Sequence, residues 1–280
     1  SQTVTALSLS TNGVDRILDR LAGETSADDT PYTLALTDSR AGVGAQTFSD
    51  GVVSGVALSR RGGLSFGVAS AALTQSVAET GARSGARTTA RTVSLVGYGR
   101  YRSGDWFANA GIGALHLSTT VTQTASHIGA SAGGYTASAG FASFSAGREI
   151  GLGGGWSLRG QAGVRGLAVT AGGYTMAGRN NRYSVHASQS GRLDAQAELS
   201  LANDWLRLSG SVSRAVARSG DHLSYEISGY AFRHNLAQSA HKANLTLAAA
   251  LNDHVHLTAQ HARTDIASHS TIALSYALKF

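Results

Sequence analysis

The sequence has no cysteine, which removes disulfide frameworks, thiolate metal sites and cysteine nucleophiles together. Its single proline, Pro31, argues against a proline-rich linker, so the 280 residues are expected to form one large domain rather than two small ones. No apolar run approaches the ~18 residues that a spanning helix needs, so insertion into a bilayer would have to use strands. Clustered charge is also missing. The net charge of +6 comes mostly from scattered arginines, unaccompanied by any nucleic-acid-binding motif, and no nucleic-acid partner is expected. The chain starts on Ser1 without a charged and apolar leader, so a targeting segment is expected outside this sequence, as for an excised domain.

One helix is expected, over residues 8 to 23. Ser10, Thr11 or Asn12 offers a cap, Val14, Ile17, Leu18 and Leu21 follow the i, i+3, i+4, i+7 stripe, and Gly23 ends it. Asp15, Arg16, Asp19 and Arg20 occupy its other faces, and a polar link over 24–31 follows. By itself this pattern describes a short surface helix.

From Tyr32 onward the periodicity is that of strands. Leu193, Ala195, Ala197, Leu199 and Leu201 alternate with Arg192, Asp194, Gln196, Glu198 and Ser200, giving one oily and one charged face. Trp156, Leu158, Ala162 and Val164 alternate in the same way with Ser157, Arg159, Gln161, Gly163 and Arg165. In the last strand Ile272, Leu274, Tyr276, Leu278 and Phe280 share one parity, opposite Thr271, Ala273, Ser275, Ala277 and Lys279. A soluble sandwich alternates too, so loop lengths must separate the architectures.

Short turns are expected at Arg61-Gly62-Gly63, Ser103-Gly104-Asp105, Gly151 to Gly155, Ala202-Asn203-Asp204 and Asn252-Asp253. Longer polar stretches fall between them, at 40–50, 78–88, 118–133, 171–188, 217–238 and 264–269. Strict alternation puts all short turns at one end of a sheet and all long connections at the other, as in an outer-membrane barrel. Five short turns give five strand pairs, and the first and terminal strands bring the count to twelve. An even count lets the strand from Tyr32 pair with the terminal strand and close the sheet. Arg159, Arg165, Asp194, Glu198, Arg207, Lys242 and His256 are then expected to face an aqueous lumen, with alanines, leucines and valines toward lipid. Trp106 and Trp156 follow short turns on the apolar parity, where an interfacial aromatic girdle belongs; Trp205 takes the polar parity, which this scheme does not explain.

In these features the chain resembles the C-terminal translocator domain of classical (type V) autotransporters. The resemblance runs from the helix at 8–23 through the strands to Leu278-Lys279-Phe280, and its motifs are architectural rather than catalytic. It implies an all-β membrane protein of twelve antiparallel strands (31–280), with an N-terminal helix and linker (1–30) whose residues Val14 to Leu21 sit in the pore. It also implies a non-enzymatic anchor in the outer membrane of a Gram-negative bacterium, monomeric, cofactor-free and metal-free, that secretes a passenger attached upstream. Both barrel termini would lie on the periplasmic side. Tyr276, Leu278 and Phe280 are similar to the terminal signal read by the outer-membrane assembly machinery, although Ser275 and Ala273 depart from the usual pattern. Some branches of the family cut the chain within the pore helix. Asn12 is the candidate position here, with Asp194 and Glu198 as lumenal acids, but the Asn-Asn pair of one such branch is absent.

The rival reading is an outer-membrane hydrolase barrel, a protease or phospholipase. Gly129-Ala130-Ser131-Ala132-Gly133 matches G-x-S-x-G, a motif that needs a sharp strand-to-helix turn to expose its serine. His254 and His256 share a strand face as two metal ligands might, without a third ligand at readable spacing.

Overall fold

The computed structural model describes residues 32–42, 45–79, 86–125, 129–177, 182–220, 222–235, 239–252, 254–265 and 268–279. The expected helix over 8–23, with Asn12, and the terminal Phe280 lie outside these residues. The strands are β1 (Tyr32–Gly42), β2 (Ala45–Arg61), β3 (Leu64–Glu79), β4 (Ala86–Ser103), β5 (Trp106–Ala125), β6 (Gly129–Gly153), β7 (Trp156–Ala171) and β8 (Tyr174–Ala177). They continue with β9 (Arg182–Val185), β10 (Ser188–Ala202), β11 (Leu206–Ser219), β12 (His222–Ile227), β13 (Tyr230–Asn235), β14 (His241–Ala250), β15 (Val255–Thr264) and β16 (Ser268–Lys279).

The long strands pair antiparallel and close on themselves in the order β1-β16-β15-β14-β11-β10-β7-β6-β5-β4-β3-β2. Closure is made by the first and last strands, which run in register from Tyr32 opposite Lys279 to Gly42 opposite His269. A closed sheet leaves no row of unpaired backbone groups, a condition that a lipid environment enforces.

The five expected short turns all join neighbouring strands. Gly62 and Gly63 have φ of 59° and 81°, the left-handed pair that a two-residue hairpin turn requires. Asn203 Oδ1 accepts from the N–H of Trp205 (3.1 Å) and of Leu206 (2.7 Å), so Trp205 belongs to the turn. Strand parity therefore does not govern it. Its indole is exposed, as is that of Trp106.

The long connections depart from expectation. Residues 40–50 and 118–133, read as polar loops, are almost wholly strand: β1 runs to Gly42 and β2 resumes at Ala45, while β5 runs to Ala125 and β6 resumes at Gly129. Ser, Thr, Ala and Gly there carry little hydrophobic signal, yet their backbones complete the ladder. At 25 residues β6 far exceeds the ~9–11 that cross a bilayer. Residues 171–188 and 217–238, also read as loops, contain a second sheet in the order β13-β12-β9-β8. It rests on the extended part of β6, where Tyr135 stacks on Tyr174 at 5.2 Å between centroids. Gly133 allows the approach, since a Cβ there would stand 2.7 Å from Met176 Cγ. Tyr183, Tyr225 and Phe232 continue the aromatic packing across that sheet.

Candidate bore and membrane-facing wall

The outer face is built from alternate residues of every long strand. Val93, Leu95, Ile112, Phe144, Val164, Leu199, Leu208, Leu245, Leu247, Ile272, Leu274 and Tyr276 are all exposed, Ile112 to 69%. These residues are neighbours across the ladders, as Leu208 is of Leu247 and Leu257 of Leu274. They form a broad apolar belt on the outer face, a kind of surface that monomeric soluble proteins rarely leave in water.

The inner face has two unlike walls. On β7, β10, β11, β14 and β15 it is polar: Arg159, Arg165, Asp194, Glu198, Arg207, Lys242 and His256 are half-buried and take the parity opposite the exposed leucines. Arg192 Nε donates to both oxygens of Asp194 at 2.7 and 2.8 Å. Gln161 Nε2 donates to Glu198 at 3.0 Å and its Oε1 accepts from Arg159 at 3.4 Å, while the Arg159 guanidinium lies 3.9 Å from the Phe107 ring centroid. The two acids considered for chain cleavage are thus held by neighbours on their own wall. Register also brings Arg165 opposite Asp194.

On β2 to β6 the inner face instead mixes buried apolar side chains with the buried neutral polar ones of Ser49, Gln75, Thr88, Thr92, Ser94 and Thr119. Val53, Ala69, Ala71, Leu73, Val96, Leu115, Leu117 and Phe141 are buried there, Leu117 to 0% exposure. This corrects the expectation that alanines, leucines and valines point outward throughout. In β5 Ile112 points out while Leu115 and Leu117 point in, so both parities are apolar and no alternation marks the inner wall in the sequence.

The remaining candidate sites have plain positions. Gly129 to Gly133 begin strand β6 and form no strand-to-helix turn, so Ser131 lacks the backbone setting a nucleophile of that motif needs. The His254 ring packs on Tyr276 at 5.8 Å, and among the described residues no three His, Cys, Asp or Glu side chains gather to hold a metal. Tyr276 belongs to the outer belt; the backbone of Leu278 pairs with Thr33.

A family model, that of the autotransporter beta-domain, matches residues 35–262. The chain belongs to this family. The match spans most of the closed sheet, and with the apolar outer belt it makes the chain an autotransporter translocator domain acting at the Gram-negative outer membrane, with a linked passenger. Such β-domains are generally not enzymes, and the hydrolase alternative is not favoured. Solved relatives share the architecture. The translocator domain of the autotransporter NalP from Neisseria meningitidis is 13% identical with a TM-score of 0.73, covering 99% of each chain. The β-domain of the Bordetella autotransporter BrkA is 12% identical with a TM-score of 0.57, covering 90% of this chain and 100% of that one. The transport unit of AIDA-I from Escherichia coli is 10% identical with a TM-score of 0.55, covering 92% of each. No curated protein matches the chain. At these identities the solved structures speak for the fold of this autotransporter beta-domain, and the family model for its role.

Proposed function

We propose that the chain is a twelve-stranded transmembrane pore that exports an upstream passenger and is then closed by its own segment 8–23. The two-sided bore carries this reading. Segment 8–23 presents Val14, Ile17, Leu18 and Leu21 on one side and Asp15, Arg16, Asp19 and Arg20 on the other. Its apolar stripe suits the Val53–Leu117–Phe141 wall, and its charged face suits the Arg159–Asp194–Lys242 wall. Side chains alone fill a barrel of about eight strands, whereas about sixteen leave an open channel; twelve leave room for one helix roughly 10–12 Å across.

In this arrangement the hairpin turns and both barrel termini face the periplasm, and the second sheet caps the far end. The chain divides into a plug and linker over 1–30 and a barrel over 31–280, and works as a monomer. Arg159, Arg165, Asp194, Glu198, Arg207, Lys242 and His256 line the pore, and Tyr276, Leu278 and Phe280 are read by the assembly machinery. Asn12 is the position at which cleavage would release the passenger. Exposed ion pairs contribute little singly, so the plug is held by their sum with the apolar stripe.

Planar-bilayer recording tests the plug. The intact chain is expected to give small, infrequent openings, and a form lacking residues 1–24 a larger, steadier conductance with a lower melting temperature. Identical conductance and melting in the two forms would place the helix outside the pore.

A further inference from the structure

A groove of about 690 Å³ crosses β10, β11, β14 and β15, and neither the export path nor the plug uses it. Two rows of side chains frame it. Ala195, Arg214 and His241 stand side by side in one, and Ala197, Val212, Ala243 and Arg263 in the next. The row between, Gln196, Ser213, Lys242 and Thr264, takes the opposite parity, so its backbone forms the floor. Val212 and Arg214 are exposed with the apolar belt, which places the groove on the outer wall.

The belt changes character at this level. Along β14 the outward residues run Leu247, Leu245, Ala243 and then His241; along β15 they run Leu257, Ala259 and then His261 and Arg263. Arginine on a lipid-facing wall costs about 2–4 kcal/mol at the midplane but only about 0–1 near the interface, so these residues mark the headgroup level on the side away from the hairpin turns. The nearby acid, Asp265, is engaged by the Ala240 N–H at 2.9 Å.

We propose that this groove docks a phosphorylated lipid of the leaflet opposite the hairpin turns. An acyl chain lies over Ala195, Ala197, Val212 and Ala243, whose small side chains leave it depth. The headgroup phosphate sits among Arg214, His241 and Arg263, where guanidinium groups offer paired donors to phosphate oxygens. The inference rests on the transmembrane reading above.

The full chain, refolded in detergent and mixed with bis-phosphorylated lipid A, dephosphorylated lipid A or phosphatidylcholine, tests it by native mass spectrometry. The bis-phosphorylated lipid is expected to be retained selectively. Arg214→Gln with Arg263→Gln should reduce retention about tenfold or more. Arg87→Gln with Arg91→Gln, on outward positions of β4 away from the groove, should leave it unchanged. Equal retention by the groove variant, or of the dephosphorylated lipid, overturns the inference. So does complete displacement by excess inorganic phosphate, which would make a free anion the ligand, or an arginine-dependent dimer, which would assign the groove to a second copy. Heat-modifiable electrophoretic migration separates the two readings. A chain that lacks it overturns both, whereas a chain that shows it without selective retention overturns this inference alone.

Discussion

Leu247 and Thr246 are adjacent on β14, yet they meet different surroundings, because successive strand residues point to opposite faces. Leu247 is 46% exposed on the outer belt, and Thr246 takes the inner parity beside Asn244, which donates to Ser211 at 3.2 Å. Leu247→Arg should therefore cost about 2–4 kcal/mol of barrel stability if the position lies near the midplane, and Thr246→Arg far less. Denaturant titration of both variants in lipid vesicles measures the difference, and equal losses would mean that the two faces are misassigned. A second residue governs a connection outside the belt. The Ser239 hydroxyl and the Ala240 N–H together hold the Asp265 carboxyl down at about 2, below its ordinary 3.8. The hydroxyl also lies 2.6 Å from the His241 carbonyl and has one proton for two acceptors, so the Ala240 bond is the steadier anchor. A depressed carboxylate contributes order above its ordinary pKa and loses it as pH falls through about 2. Asp265→Ala at pH 5 should thus lower the protection of the Ala240 amide, in the same direction as acidification through about pH 2 lowers it in the native chain once the intrinsic exchange rate is corrected for pH. If Ala240 exchanges at the same rate in Asp265→Ala and native chains at pH 5, the carboxylate is not the anchor.

Among the elements, β8 depends on a single missing side chain. Its Met176 and Tyr174 lie against Gly133 and Tyr135, and any Cβ at Gly133 meets Met176. Gly133→Val should overpack this contact by about 1–3 kcal/mol and release β8 and β9 from β6, leaving the closed sheet intact. Hydrogen exchange should show lost protection over residues 174–177 and 182–185 with that of β10, β11, β14 and β15 unchanged; protection retained in β8 would mean that the packing at Gly133 is dispensable. How far each element could be read from sequence follows from its side-chain contrast. The strands β7, β10 and β14 alternate leucine or valine with arginine, aspartate or lysine, so period two is plain. The second sheet has no such contrast. Its strands are four to six residues long and mix Tyr with polar and small residues, and β8 packs on the tall wall of β6.

At the scale of the whole molecule, closure links the first and last strands, and assembly must bring β16 to β1 across the full length of the chain. Deleting Phe280 should slow surface appearance in cells much more than it weakens barrels refolded in detergent, because the residue is proposed to act as a recognition signal as well as an apolar contact. Surface display at the native rate would remove it from that role. The strand periodicity and the short turns could be read from the sequence by itself, since each depends on near neighbours: a glycine pair, an asparagine, an alternation of leucine with charge. The inward leucines and valines of β2 to β6, the second sheet and the outer groove were decided only by tertiary structure. Each brings residues from separate strands to one surface, and an Ala, Ser or Gly carries no mark of which side it faces until the closed sheet gives it an inside and an outside.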